Sequence, residues 1–190
     1  MGRALTKGAL LGGIILFIWM MISWMVLPWH CTVMRTFKNE EIVAQTILDN
    51  TESDGVYILP NLYEKKITDE ERTALMKKGP VMFASVQRYG FDVDSIAPYV
   101  SALIIQIIGA FLVTFLLLQT SGLGYLRKVL FITVIGLTLG VLGELPKWNW
   151  WGFSIGYVGV EMLDFLIGWF LAGLVIALFV RTPPLIEKDS

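Results

Sequence analysis

The chain has 190 residues, of which 55% are hydrophobic and 16% charged, and its net charge at pH 7 is −1. Soluble domains carry charge on about a quarter of their residues, so a mean hydropathy of +0.66 says that water is not the main solvent and excludes disorder, collagen-like repeats and disulfide scaffolds. The near-neutral balance supplies no basic field for nucleic acid, and none is expected as a partner.

A bilayer core of about 30 Å requires roughly 20 apolar residues per spanning helix, with every backbone polar group satisfied inside the segment. The first such run is Gly8 to Leu27, which contains no charge. Arg3 and Lys7 before it are what a secretory signal would also show. The run exceeds a usual signal core, however, and holds Trp19 and Trp24. Pro28-Trp29-His30 lacks a small-residue cleavage pattern, so an uncleaved signal anchor is expected. Bulky residues before Cys31 argue against a lipoprotein acylation site. As the one cysteine of the chain, Cys31 makes no internal disulfide and is read as an inert thiol at the membrane face.

Residues 31–97 have ordinary polar composition, with eleven acidic and eight basic side chains. Asn39 to Leu48 places acids in a first helical turn and gathers Ile42, Val43, Thr46 and Ile47 on one face, predicting a short amphipathic helix. The turn formers from Asn50 to Gly55 precede a strand, Val56 to Leu59, which stops at Pro60. Thr68 and Glu71 make a capping box that opens a helix running to Lys78, with Gly79 as a left-handed stop. Val81 to Val86 is a second strand. Two paired strands are marginal on their own, so this unit is expected to lean on headgroups, on the spans or on a partner. Asp94-Ser95 should then cap the next helix, with Pro98 in its first turn.

Three further spans are expected: about Pro98 to Leu118, Val129 to Leu145, and Tyr157 to Val180, with Trp148 to Gly156 lying at the interface. Arg3, Lys7, Arg127, Lys128, Arg181 and Lys188 flank the spans on one side and Lys147 alone on the other. Cations in short flanks stay inside, so both termini are expected in the cytoplasm and residues 31–97 outside. The absence of any Asn-x-Ser/Thr sequon suits a bacterial inner membrane with a periplasmic module. The expected fold class is thus an all-α membrane protein of four transmembrane helices, with a small α+β insertion between the first and second. Its organisation is residues 1–30 (tail and first span), 31–97 (exported module), 98–181 (three spans) and 182–190 (cytoplasmic tail).

The chemistry-bearing residues gather near one interface. Glu161 and Asp164 are spaced i, i+3 and share a helix face within the first two turns of the last span. Glu144 ends the third span on the same side, Gln106 lies two turns into the second, and His30 ends the first. Ionisable groups inside a span are costly and count as functional candidates by default; the competing reading is interfacial capping, with Lys147 and Arg88 as the offsetting cations. One histidine and one cysteine form no metal-spacing signature, no GxSxG turn exposes a serine, and no phosphate loop is present, so no catalytic residue, metal or cofactor is expected. Trp29, Trp148, Trp150 and Trp151 read as an interfacial belt. Gly8 with Gly12, Gly136 with Gly140, and Gly168 with Ala172 are small-xxx-small pairs that permit close helix approach.

The leading expectation is an accessory, assembly or scaffold subunit, surrounded by membrane lipids, whose exported module docks a protein partner. A homo-oligomeric transporter or channel using Gln106, Glu161 and Asp164 is the first alternative. A membrane-embedded enzyme acting on a lipid-linked substrate through Glu144, Glu161 and Asp164 is the second.

Overall fold

Apolar helices in oil must close their own hydrogen bonds, and the longest elements are those that do so. The computed structural model describes residues 2–63 and 66–182. In chain order these form α1 (Gly2–Met25), α2 (Trp29–Val33), α3 (Glu40–Asp49), β1 (Gly55–Leu59), α4 (Asp69–Lys78), β2 (Met82–Val86), α5 (Ala97–Leu118), α6 (Tyr125–Trp151) and α7 (Ile155–Phe179). The chain is therefore mostly helical, with a two-stranded sheet and four helices, α1, α5, α6 and α7, long and apolar enough to cross a membrane. Lys188 and most of the tail expected at 182–190 lie outside the described residues.

Several boundaries differ from the sequence reading. The first long helix starts at Gly2 and ends at Met25, and His30 sits on the separate turn α2. The third long helix does not stop at Leu145 but continues through Pro146 to Trp151, so Trp148, Trp150 and Trp151 finish α6 rather than precede α7. Pro146 gives up its own N–H and crowds the carbonyl one turn before it, yet the helix continues until Gly152, whose left-handed φ of 73° ends it. The α5 cap is Ile96 rather than Asp94-Ser95, although the Ser95 hydroxyl accepts from the Ala97 N–H at 3.2 Å. Gly79 ends α4 with a positive φ of 60°, as a glycine stop requires, although its ψ of −175° lies outside the left-handed helical well. The capping box is present as expected: Glu71 N–H donates to Thr68 Oγ1 and Thr68 N–H to Glu71 Oε2. The two strands pair antiparallel, with Tyr57 opposite Ala84.

In the bundle, α1 packs on α5 and α7, and α7 packs on α6, while α5 and α6 scarcely meet. Leu16, Ala110, Leu117, Ile132, Trp169 and Ile176 form the common core. Outward faces remain apolar, with Ile14, Ile18, Ile105, Ile108 and Leu112 exposed, as expected where lipid covers them. At one end the bundle is tied by Lys128, a cation expected to flank the span but in fact buried: its Nζ donates to the carbonyls of Ala177 at 2.7 Å and Val180 at 2.8 Å. Those carbonyls end α7 and have no helical donor of their own, so a cation there satisfies both hydrogen bonding and the helix dipole.

Small residues set the spacing. Gly8 faces Thr114, Gly12 faces Ile176, Gly136 faces Trp169 and Gly168 faces Trp19, each closer than a Cβ would allow; Gly140 packs in ordinary contact with Met162. The tightest constraint is at Gly13, where a Cβ would lie 2.6 Å from the Ile107 Cα, a backbone atom that cannot swing aside. Gly13→Ala should therefore force α1 and α5 apart and lower stability by about 1–3 kcal/mol. Gly143→Ala, with nothing within 4 Å of the new methyl, should be neutral or slightly stabilising; thermal unfolding in detergent compares the two.

Candidate functional site

At the end of the bundle opposite Lys128, α1 finishes, the chain turns at Pro28 and α2 folds back against α7. The turn places four polar side chains in contact. Asp164, on the third turn of α7, accepts from the Ser23 hydroxyl at 2.5 Å through Oδ1 and contacts His30 Nε2 at 2.9 Å through Oδ2. Ser23 Oγ is itself 3.0 Å from His30 Nε2 and accepts from the Trp29 indole N–H at 3.0 Å. The same indole N–H lies 3.2 Å from the Ser23 carbonyl. One turn before Asp164, Glu161 presents Oε1 to His30 Nδ1 at 3.6 Å.

The site is sealed by aromatic rings. Trp24 stacks flat on the His30 imidazole with centroids 3.8 Å apart, and Trp29 meets it edge-on at 5.9 Å. Ser23 is 0% exposed, His30 1% and Asp164 5%; the Glu161 side chain is 15% exposed and is the member nearest the surface. A carboxylate at this depth persists only if donors reach it, and Ser23 and His30 supply them.

Of the residues singled out from sequence, the fold thus brings His30, Glu161 and Asp164 into one cluster. Glu144 is buried in α6 two turns before the helix end and pairs with Lys147, whose Nζ donates at 2.7 Å and 2.8 Å to its two oxygens. Lys147 therefore does not neutralise Glu161 or Asp164. Nor does Arg88, whose guanidinium donates to the carbonyls of Leu48 and Glu52. Gln106 reaches the neighbourhood from α5 across a cavity of about 90 Å³ that it lines with Trp19, Phe165 and Asp164. Trp29, expected in an interfacial belt, is a member of the site. Nothing in the sequence points to Ser23, and Trp24 enters it only as an argument against signal cleavage: a serine and a tryptophan inside an apolar run carry no spacing signal, and only the reversal at Pro28 brings His30 onto them.

Ser23, His30 and Glu161 have the order of a nucleophile, a base and its orienting acid. The hydrogen bonding differs from that scheme in two respects. The Ser23 hydroxyl gives its hydrogen to Asp164 rather than to His30, and Asp164 and Ser23 share one imidazole nitrogen. With Ser23 fully buried, no carbonyl can approach Oγ. Among the described residues no group of three or more His, Cys, Asp or Glu side chains is placed to hold a metal ion. What the arrangement can do is hold α1, α2 and α7 together through buried polar contacts and keep a proton among acidic and imidazole groups.

No protein-family model, curated protein or solved structure matches the chain. Function is therefore argued from the site and its surroundings.

Removing one partner of a buried ionic cluster leaves the others uncompensated, at a cost of about 3–5 kcal/mol. Asp164→Ala should lose stability on that scale. His30→Ala in the same background should then cost far less than it does alone, because its partner is already gone. Additive losses in detergent unfolding of the single and double variants would show that the two side chains are not coupled.

Proposed function

We propose that the chain is an integral membrane accessory or scaffold subunit: the helical bundle is the anchor, and residues 31–97 are a docking module presented outside a bacterial inner membrane, with both termini on the cytoplasmic side. The observation that carries this reading is burial. Among the described residues of 31–97 not one is buried, and α3 and α4 each lack a buried residue. A unit of this size without a core is not stabilised by apolar burial.

Polar contacts stitch it together instead. The Arg88 N–H donates to Asp54 Oδ1 at 2.9 Å, and its guanidinium bonds the end of α3 and the following loop at 3.1 Å and 2.9 Å. Large apolar side chains are left outward, including Phe37, Ile42, Val56, Tyr89 and Phe91, the last 75% exposed. Between the hairpin, α4 and the end of α6 runs an apolar groove of about 340 Å³, lined by Ile58, Met76, Met82, Phe83 and the pair Trp150 and Trp151. Phe83 meets Trp151 with ring centroids 4.5 Å apart. Exposed apolar surface of this extent, bordered by polar residues, suits an interaction face. The clamp at Asp164 supports the same reading, since it sets where the module leaves the bundle.

Purification in mild detergent should recover a partner in fixed stoichiometry. Met82→Asp with Phe83→Asp should release that partner while the bundle still unfolds at the unaltered temperature. Isolation of the unsubstituted chain as a lone stable monomer, with a 31–97 fragment that folds by itself, would overturn the proposal. Topology has its own check: Cys31 is exposed and has no second cysteine to confuse it, so an impermeant maleimide should label it in intact cells, and a tag at Ser190 should be protected from external protease.

The cavity shared by Gln106 and Asp164 favours a second reading, an oligomeric path for a small solute or ion. In liposomes Glu161→Gln and Asp164→Asn should then abolish flux, and unchanged flux removes this reading.

A further inference from the structure

The hydrogen bonds of the cluster leave one proton unaccounted for. An ionised carboxylate only accepts, so with Asp164 charged the His30 Nε2 that meets its Oδ2 at 2.9 Å carries hydrogen. The opposite nitrogen, Nδ1, faces Glu161 Oε1 at 3.6 Å, and both atoms are buried without a hydrogen-bond partner. If Nδ1 were bare and Glu161 ionised, two lone pairs would oppose each other in a low-dielectric pocket. That arrangement costs the desolvation of both groups with no compensating bond.

We propose that the pair His30 Nδ1 and Glu161 Oε1 is a binding site for one exchangeable proton, and that Glu161, His30 and Asp164 form a relay from Glu161 to the part-open cavity that Asp164 lines between α1, α5 and α7. Glu161 is the entry because it is the member with residual exposure. A proton on Oε1 passes to Nδ1, and the imidazole releases the hydrogen of Nε2 to Asp164 Oδ2. Charge is conserved: Glu161 becomes a carboxylate, Asp164 a carboxylic acid, and the imidazole has changed tautomer. Asp164 also lines the 90 Å³ cavity with Gln106 and Trp19, and the Trp19 indole nitrogen, buried there, has no partner. The cavity thus offers polar groups at the Asp164 end of the relay.

The ionisable surroundings are few. From α7 come Glu161, Asp164 and Tyr157, and from α6 comes Glu144, held by Lys147. In contact with the imidazole α1 presents Ser23 and Trp24, and α2 presents Trp29, none of them charged; α5 reaches only the cavity, through Gln106. Even with His30 protonated, Glu161, Asp164, Glu144 and Lys147 leave one excess negative charge, which makes a further proton favourable.

His30 is the only histidine in the chain, so imidazole ¹⁵N labelling of the full-length protein in lipid nanodiscs gives a single pair of resonances. Across about pH 5 to 8, where imidazole chemistry is accessible, the Nδ1 resonance should move with bulk pH, with the Nε2 hydrogen exchanging between the imidazole and Asp164. Infrared difference spectra over the same range should show a carboxylic acid band. Glu161→Gln, which keeps the shape, should remove that band and change the Nδ1 response; thermal unfolding identical to the unsubstituted chain confirms that it folds. An Nδ1 resonance that does not respond to pH, or a response and a band that Glu161→Gln leaves untouched, would overturn the proposal. The docking reading does not enter this test, and loss of a partner would leave these signals in place.

Discussion

The Asp164 carboxylate is the point through which three helices depend on one another. A buried anion must be met by donors, and its two donors come from different elements: the Ser23 hydroxyl near the end of α1 and the His30 ring on α2. Satisfying the charge therefore fixes how α1 crosses α7 and where α2 lies. Gly168, one turn beyond Asp164, lets Trp19 and Leu16 come close, so the polar contact and the steric fit specify the same approach. At the opposite end Lys128 does the equivalent work between α6 and α7, giving its protons to carbonyls that the helix cannot satisfy. Between these two polar clamps the interior is apolar apart from Thr114, and dispersion with close packing holds it, since lipid provides no hydrophobic drive between helices.

The segment between α1 and α5 obeys the opposite economy. Its capping box, its antiparallel hairpin and the hydrogen bonds of Arg88 are all local and well formed, yet they enclose nothing. Secondary structure without burial does not offset the entropy of ordering some sixty residues. A bundle with a buried core, joined to a module without one, is the physical basis for proposing a docking role. The clamp and the module also adjoin in sequence, because α2 ends at Val33 and the module follows directly.

Much of this architecture was legible in the residues. The four apolar runs, the amphipathic helix opened by Asn39, the strand stopped by Pro60 and the box of Thr68 and Glu71 each follow from local chemistry that tertiary packing has no reason to override. The boundaries that shifted are those where local chemistry is ambivalent. Pro146 can end a helix or be carried within one, and a tryptophan cluster can precede a span or finish one. The site was legible in part. Glu161, Asp164 and His30 stand out because ionisable groups are expensive in an apolar run. Ser23, Trp24 and Trp29 do not, because nothing about a serine or an indole in such a run says which way it faces.

Sequence alone determined that this polypeptide needs a lipid solvent, how many helices can cross it and where polar side chains interrupt them, since hydropathy and capping act over a few residues. Only the tertiary structure decided that Asp164 meets Ser23 and His30, that Glu144 is taken by Lys147, and that the described residues of 31–97 include none that is buried. Those outcomes depend on contacts across 141 residues in the case of Ser23 and Asp164, set by the angle at which helices pack, which no local pattern encodes.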